Sequence, residues 1–197
     1  VSVRNKILDV MDACFLYRLG WLKSLKSAAS VCGADYSCVK NPNDLSTINW
    51  LSKLDIDLIV SYSAPCIFKT ELLSLPALGC INLHCSLLPK FAGILPSFWG
   101  LYEGSENLGA TVHRMDSKID NGPILGQVTV PRPTDLSMFN VIRVTKQAGG
   151  TLMMSVVKEI IEGKETEKPN NVEVNNYHSW PSIDQIKEFR RRGGRLI

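Results

Sequence analysis

The chain has 197 residues, 45% of them apolar, which suffices for one packed domain or one domain with a small appendage. Lys and Arg number 22 against 19 Asp and Glu, a net charge of +3 that is too mild to require a nucleic-acid partner. No glycine-rich phosphate loop, zinc-ligand spacing or heptad run is present, which sets aside the simplest nucleotide, metal and coiled-coil readings.

The chain opens on Val1 rather than a methionine. Its first apolar stretch, Met11 to Leu22, is interrupted by Asp12 and Arg18. That is too short and too charged for a membrane span or a signal-peptide core, and it predicts an amphipathic helix from Lys6 to Ala28. A strand over Tyr36–Val39 and a helix over Asn43–Leu54 follow, the helix capped by Asn43 or Asp44. Next come a strand over Leu58–Tyr62, a short helix over Lys69–Leu73, and a buried strand over Leu78–Leu83. Pro89 and Gly93 force a loop over Ser86–Gly93. A helix over Pro96–Glu103 leads to two β-rich runs, Gly109–Met115 and Pro123–Val130, whose connection ends in Asn121-Gly122 and predicts a hairpin. A long helix over Leu136–Glu162 is expected to be capped by Thr134 or Asp135. The charged, Asn-rich stretch after it contains Pro169 and reads as a linker, and a short helix over Ile183–Arg192 closes the chain. Arg190, Arg191, Arg192 and Arg195 read as a solvated helix end.

Strands alternating with helices predict an α/β fold with a mostly parallel sheet, helices on both faces, and a hairpin that makes the sheet mixed. The expected division is a catalytic domain over 1–163, a linker over 164–176 and a helical tail over 177–197. Cys14, Cys32, Cys38, Cys66, Cys80 and Cys85 have irregular spacings and read as reduced thiols of a cytoplasmic protein.

The chemistry concentrates at Asn82-Leu83-His84-Cys85-Ser86-Leu87-Leu88-Pro89. Residues two apart on a strand share a face, so Asn82 and His84 point the same way at the strand's carboxyl end. An amide N–H and an imidazolium aimed at one oxygen form an oxyanion hole. Asp120, in the hairpin loop, can fix the imidazole or take a proton from an attacking amine. Asp116 is its rival for that role. His113 reads as a packing or pocket-wall residue and His178 as a surface one. Phe98 and Trp99 read as packing residues. Cys85 adjoins His84, but strand neighbours face opposite ways, which argues against a thiol nucleophile.

The run Asn82 to Gly93, together with Thr111-Val112-His113-Arg114-Met115-Asp116-Ser117-Lys118-Ile119-Asp120-Asn121-Gly122-Pro123-Ile124, resembles the catalytic signature of the folate-dependent formyltransferase family. The resemblance runs from about Asp57 to Ile161. It implies a Rossmann-like domain, here without the family's first strand at the amino terminus, consistent with a truncated start. It implies 10-formyltetrahydrofolate as co-substrate and an amine that attacks the formyl carbon, with Asn82, His84 and Asp120 as catalytic residues and no metal. It also implies that Cys66, Ile67 and Phe68 grip the pterin through backbone groups, and that Met115, Asp116, Ser117, Lys118 and Ile119 close over it.

Within that family, Ala64-Pro65 stands where methionyl-tRNA formyltransferases usually have Tyr-Gly, and neither a large carboxyl-terminal tRNA-binding domain nor the purine enzyme's glycine-rich loop is visible. The expected acceptor is therefore a small, sugar-type amine. Methionyl-tRNA and glycinamide ribonucleotide are the alternatives, beside hydrolysis of formyltetrahydrofolate and a non-catalytic remnant that binds folate or a partner.

Overall fold

The computed structural model describes residues 24–64 and 66–196. Most of the expected first helix, with Cys14, lies outside them. Two units are distinguished, residues 1–42 and 43–197.

In the first unit, helix α1 (Leu25–Val31) begins where the Ser24 side chain accepts the backbone N–H of Ser27. The expected strand over Tyr36–Val39 does not form. Extended residues become a strand only when a neighbour supplies a ladder, and among the described residues none pairs with this stretch.

The second unit carries a four-stranded mixed sheet. Its strands are β1 (Ile59–Tyr62), β2 (Cys80–His84), β4 (Asn107–Arg114) and β5 (Ile124–Pro131), ordered β1-β2-β4-β5, while β3 (Ala92–Gly93) lies elsewhere. Strands β1 and β2 run parallel; β2–β4 and the β4–β5 hairpin are antiparallel. The helices are α2 (Leu45–Leu51), α3 (Thr70–Leu73), α4 (Pro96–Tyr102), α5 (Met138–Ile161) and α6 (Ile183–Arg191). Helix α5 starts at Ser137, whose hydroxyl accepts the Asn140 N–H, rather than at Thr134 or Asp135. Leu136 takes a positive φ of 46°, which stops helical geometry from extending further back.

Alternation along β2 decides which face is buried. Ile81 and Leu83 pack with Ala110, Val112 and Leu125 against Met153, Val156 and Ile160 of α5. Asn82 and His84 therefore face the other way. A second cluster joins Phe91, Phe98, Trp99 and Leu101 to Val141 of α5 and Phe189 of α6. A third, smaller cluster of Leu88, Ala92 and Ile124, with Val172 against it, lies under the loop that follows β2.

The 164–176 stretch runs against the hairpin. Lys168 and Ile124 exchange two backbone hydrogen bonds of 2.8 Å, and Arg114 reaches Glu165 and Glu167 at 2.9 Å each. Beyond a short 3₁₀ turn, strand β6 (Tyr177–His178) pairs in parallel with β3. Among the described residues, no helix is long and apolar enough to cross a membrane.

Candidate active site

The β2–β4 register places His113 directly opposite Asn82, and Thr111 opposite His84. All four side chains consequently share the face turned away from α5. The loop after β4 starts with Met115, whose N–H bonds the Cys80 carbonyl at one end of β2. By Asp120 it has reached the other end, where Asp120 Oδ2 accepts the Gly93 N–H at 2.8 Å and lies 3.4 Å from His84 Nδ1.

Four side chains thus converge. His84 Nε2 lies 2.8 Å from the Phe91 carbonyl, so this nitrogen carries a proton and donates. His113 Nδ1 donates to the Arg114 carbonyl at 2.7 Å. With the proton there, His113 Nε2 is an acceptor, and Asn82 Nδ2 donates to it across 3.2 Å. Asp120 Oδ1 lies 3.5 Å from the same His113 Nε2. His84 and His113 are buried, at 6% and 2% exposure, while Asn82 is half-buried. His113, expected as a packing or pocket-wall residue, stands by the cross-strand register between Asn82 and Asp120.

Backbone strain gathers at this place. Phe91 (φ 57°), Leu95 (φ 54°) and Asp120 (φ 49°) occupy left-handed conformations that L-residues avoid. Such outliers persist only where the surroundings over-determine them. Here the loop is pinned by Thr111, whose Oγ1 donates to the Ser86 carbonyl and accepts the Leu88 N–H, and by Gln127, which donates to the Leu88 carbonyl. Gly93, at φ 99°, lets β6 approach so closely that a Cβ would sit 2.3 Å from the His178 carbonyl. His178 is not a surface residue: its ring packs 4.7 Å from Trp99 and 5.5 Å from Phe91.

Burial raises the Asp120 carboxyl, but the facing His84 charge, the His113 contact and the Gly93 N–H outweigh it and hold the group below its usual range. Burial depresses the His84 imidazole, and Asp120 and the Phe91 carbonyl restore it only in part. Acid therefore destabilises the fold in two windows. Unfolded chains take up a histidine proton near 6.5 that folded His84 resists, so stability is level above that pH and falls below it. The Asp120 contribution is complete above the ordinary carboxyl value of 3.8 and is lost as pH falls through the lower folded value. Urea midpoints are expected to drop between about pH 7 and pH 5, and to drop less in His84→Gln. An equal drop in both proteins removes His84 as the source.

The remaining residues singled out from the sequence are placed as follows. Cys66, Ile67 and Phe68 leave the carboxyl end of β1, beside the His84 end of β2. Cys66 is half-buried, Ile67 exposed and Phe68 buried; the Asn43 amide holds this turn by donating to the Ile67 carbonyl and accepting the Lys69 N–H. Met115 and Asp116 are half-buried, and Ser117, Lys118 and Ile119 are exposed. Asp116 accepts the Lys118 N–H and the Asn121 amide within its own loop, so it is Asp120 that faces the imidazoles. The Cys85 thiol lies toward Thr145 and Lys146 of α5, away from His84, and burial pushes it up. A cavity of about 520 Å³ opens beside the loop, lined by Cys85, Leu87, Pro89, Lys90, Pro96 and Leu108 among others; Asn82, His84 and Asp120 do not line it. Among the described residues no cluster of His, Cys, Asp and Glu could hold a metal ion.

Chemically, the arrangement offers an amide donor, an imidazole and a carboxylate around one point, a set able to stabilise an oxyanion and move a proton. Residues 35–157 match the formyl transferase family. The bifunctional polymyxin resistance protein ArnA of Wigglesworthia glossinidia brevipalpis is 46% identical over 91 residues, covering 46% of this chain and 14% of that protein. A methionyl-tRNA formyltransferase of Halalkalibacterium halodurans is 32% identical over 156 residues, 78% of this chain and 49% of the relative. This chain thus spans about half the length of that relative and a smaller part of the first. Among solved structures, the formyltransferase PseJ from Anoxybacillus kamchatkensis, in complex with UDP-4,6-dideoxy-4-formamido-L-AltNAc and tetrahydrofolate, superposes with a TM-score of 0.65 at 23% identity, over 85% of this chain and 84% of that one.

Proposed function

The chain belongs to the formyl transferase family, and from that premise we propose that it transfers the formyl group of 10-formyltetrahydrofolate to a primary amine, most fittingly a sugar-type amine. The observation that carries this reading is the convergence of Asn82, His84 and Asp120 on one face of β2, bridged by His113.

The amine nitrogen attacks the formyl carbon and the carbonyl oxygen becomes an oxyanion. The Asn82 amide donates to that oxygen. His84 Nε2–H is committed to the Phe91 carbonyl in the free protein, so the oxyanion competes with that carbonyl for the same proton. Asp120, kept ionised, accepts the proton that the amine sheds, directly or through one water. Collapse of the tetrahedral species breaks the bond from the formyl carbon to N10, and N10 takes up the proton that Asp120 received, directly or through water, and leaves as tetrahydrofolate. Cys66, Ile67 and Phe68 are assigned to the pterin along with Met115, Asp116, Ser117, Lys118 and Ile119: the first segment follows β1 beside the His84 end of β2, and the second leads from the far end of β2 to Asp120.

A sugar-type acceptor draws support from the likeness to PseJ, crystallised with a formamido sugar nucleotide. Methionyl-tRNA is the second reading, favoured by the relative that matches 78% of this chain. A panel decides between them: nucleotide-linked amino sugars, glycinamide ribonucleotide and charged initiator tRNA, each offered with formylated folate. Formyl on a sugar amine upholds the proposal, and formyl on tRNA alone overturns its acceptor. Single-turnover release of tetrahydrofolate without any amine would replace transfer by hydrolysis. For Asp120→Asn, a hundredfold or greater loss is expected together with a changed pH profile, read from kcat/KM between about pH 5 and 9. An unchanged profile moves the proton-accepting role away from Asp120.

A further inference from the structure

Asp120 holds a left-handed backbone, φ 49°, which Asp adopts more readily than most L-residues but at a cost that Gly does not bear. Its carboxylate is steered by the Gly93 N–H on β3 and faces His84 of β2 and His113 of β4. The other charges nearby are engaged elsewhere: Asp116 takes its own loop's Lys118 N–H and Asn121 amide, and the Arg114 guanidinium is used by Glu165 and Glu167. Something must still fix the backbone that carries this carboxylate.

The side chain that does so comes from the stretch the sequence presents as a linker. Asn170 is 92% buried, the complement of its 8% exposure. Its Nδ2 donates to the Asp120 carbonyl at 2.8 Å and to the Gly122 carbonyl at 3.0 Å, bracketing the turn. Gly122 in turn lies flat on the Arg114 carbonyl, where a Cβ would come within contact of the backbone, and that carbonyl receives His113 Nδ1. Asn170 is itself held in register by the paired backbones of Lys168 and Ile124 two residues earlier, and Val172 packs beside Leu88, Ala92 and Ile124 two residues later. Only an amide carries two N–H donors on one nitrogen without a charge. An acid would offer no donor, and an aliphatic residue would leave two carbonyls unpaired. The other end of the amide, Asn170 Oδ1, has no hydrogen-bond partner among the described residues.

We propose that Asn170 is a positioning residue: its two N–H groups set the backbone turn that aims the Asp120 carboxylate at His84 and His113. The role rests on the formyl-transfer reading for its kinetic consequence, but its structural consequence does not. Asn170→Ala is expected to lower kcat at least tenfold while KM for formylated folate changes less than threefold. In an Asp120→Asn background the same substitution is expected to lower the rate less than threefold further, since an aim already lost cannot be lost again. A structural role alone would multiply the two losses, and that result overturns the proposal. Asn170→Gln, which keeps the two donors, is expected to recover part of the rate, whereas Asn170→Asp recovers none. A second readout needs no turnover: NMR titration of the His84 imidazole, which faces Asp120, in the folded variants. Asn170→Ala is expected to shift it while the thermal midpoint shows the variant folded. An unmoved titration overturns the proposal even if formyl transfer is real. A moved titration in the variant, beside a wild-type protein that transfers no formyl group, upholds the positioning and sinks the functional reading instead.

Discussion

Asn82→Ala is expected to slow formyl transfer at least a hundredfold, and His84→Ala to slow it as much, with the fold retained in both. The size follows from what each group faces. A preorganised donor to a developing oxyanion contributes about 2.7–4 kcal/mol of transition-state stabilisation, a factor of roughly 10² to 10³. The Asn82 amide is held by His113 Nε2 rather than by water, so it is already oriented before substrate arrives. That is the condition under which such a donor acts most strongly. Asn82 is half-buried and its neighbours on the strand, Ile81 and Leu83, carry the packing against α5, so truncation leaves the core intact. His84→Ala also strips the Phe91 carbonyl of its side-chain donor, and a stability loss of about 1–3 kcal/mol accompanies the rate effect. Stopped-time assays of tetrahydrofolate release, beside urea unfolding of the same samples, separate the two. Rates near wild type in both variants would end the oxyanion-hole assignment.

Gly93→Ala is expected to be among the most damaging single substitutions in the chain, costing about 2–6 kcal/mol of stability. Two penalties act together. At φ 99° an L-residue is strained by about 1–3 kcal/mol. Its Cβ would also stand 2.3 Å from the His178 carbonyl and 2.8 Å from the Tyr177 ring, and relieving such overpacking costs about another 1–3 kcal/mol. Against a total stability of about 5–15 kcal/mol this is a large share. The same shift would pull the Gly93 N–H off Asp120 Oδ2, so any folded fraction is expected to be catalytically poor as well. Urea midpoints test the first expectation, and activity per folded molecule tests the second. A midpoint within about 0.3 M of wild type would show that β6 is not held against Gly93 as described.

The elements that declared themselves in the sequence did so through local signals. The Asn121-Gly122 turn between two β-rich runs and Pro96 at a helix start both act within a few residues, and the β4–β5 hairpin and α4 form where they indicate. The pairing of Asn82 with His84 on one face followed from strand alternation alone. What stayed hidden depends on partners distant in the chain. His113 looked like packing because its role exists only once Asn82 stands opposite it across β2–β4. Tyr36–Val39 has strand-like composition but pairs with no strand among the described residues. Asn170 sits in a polar, Pro-containing stretch that carries every mark of a connection, yet its amide is buried against the site loop. His178 and β6 leave no periodic trace, because two residues are too few to alternate.

The β3–β6 pairing has a consequence for how the protein comes into being. Residues 92–93 are made long before residues 177–178, and until the later pair emerges from the ribosome the Ile94 N–H lacks the His178 carbonyl that holds this segment. Contacts so distant in sequence close late, because the entropy of looping the intervening chain is spent first. A nascent polypeptide halted after α5 would hold the sheet and its apolar face while the segment joining Phe91 to Leu95 remained unbraced. Bracing of the segment from Phe91 to Leu95 therefore waits for residues 177–178, well after the hairpin residues have been made.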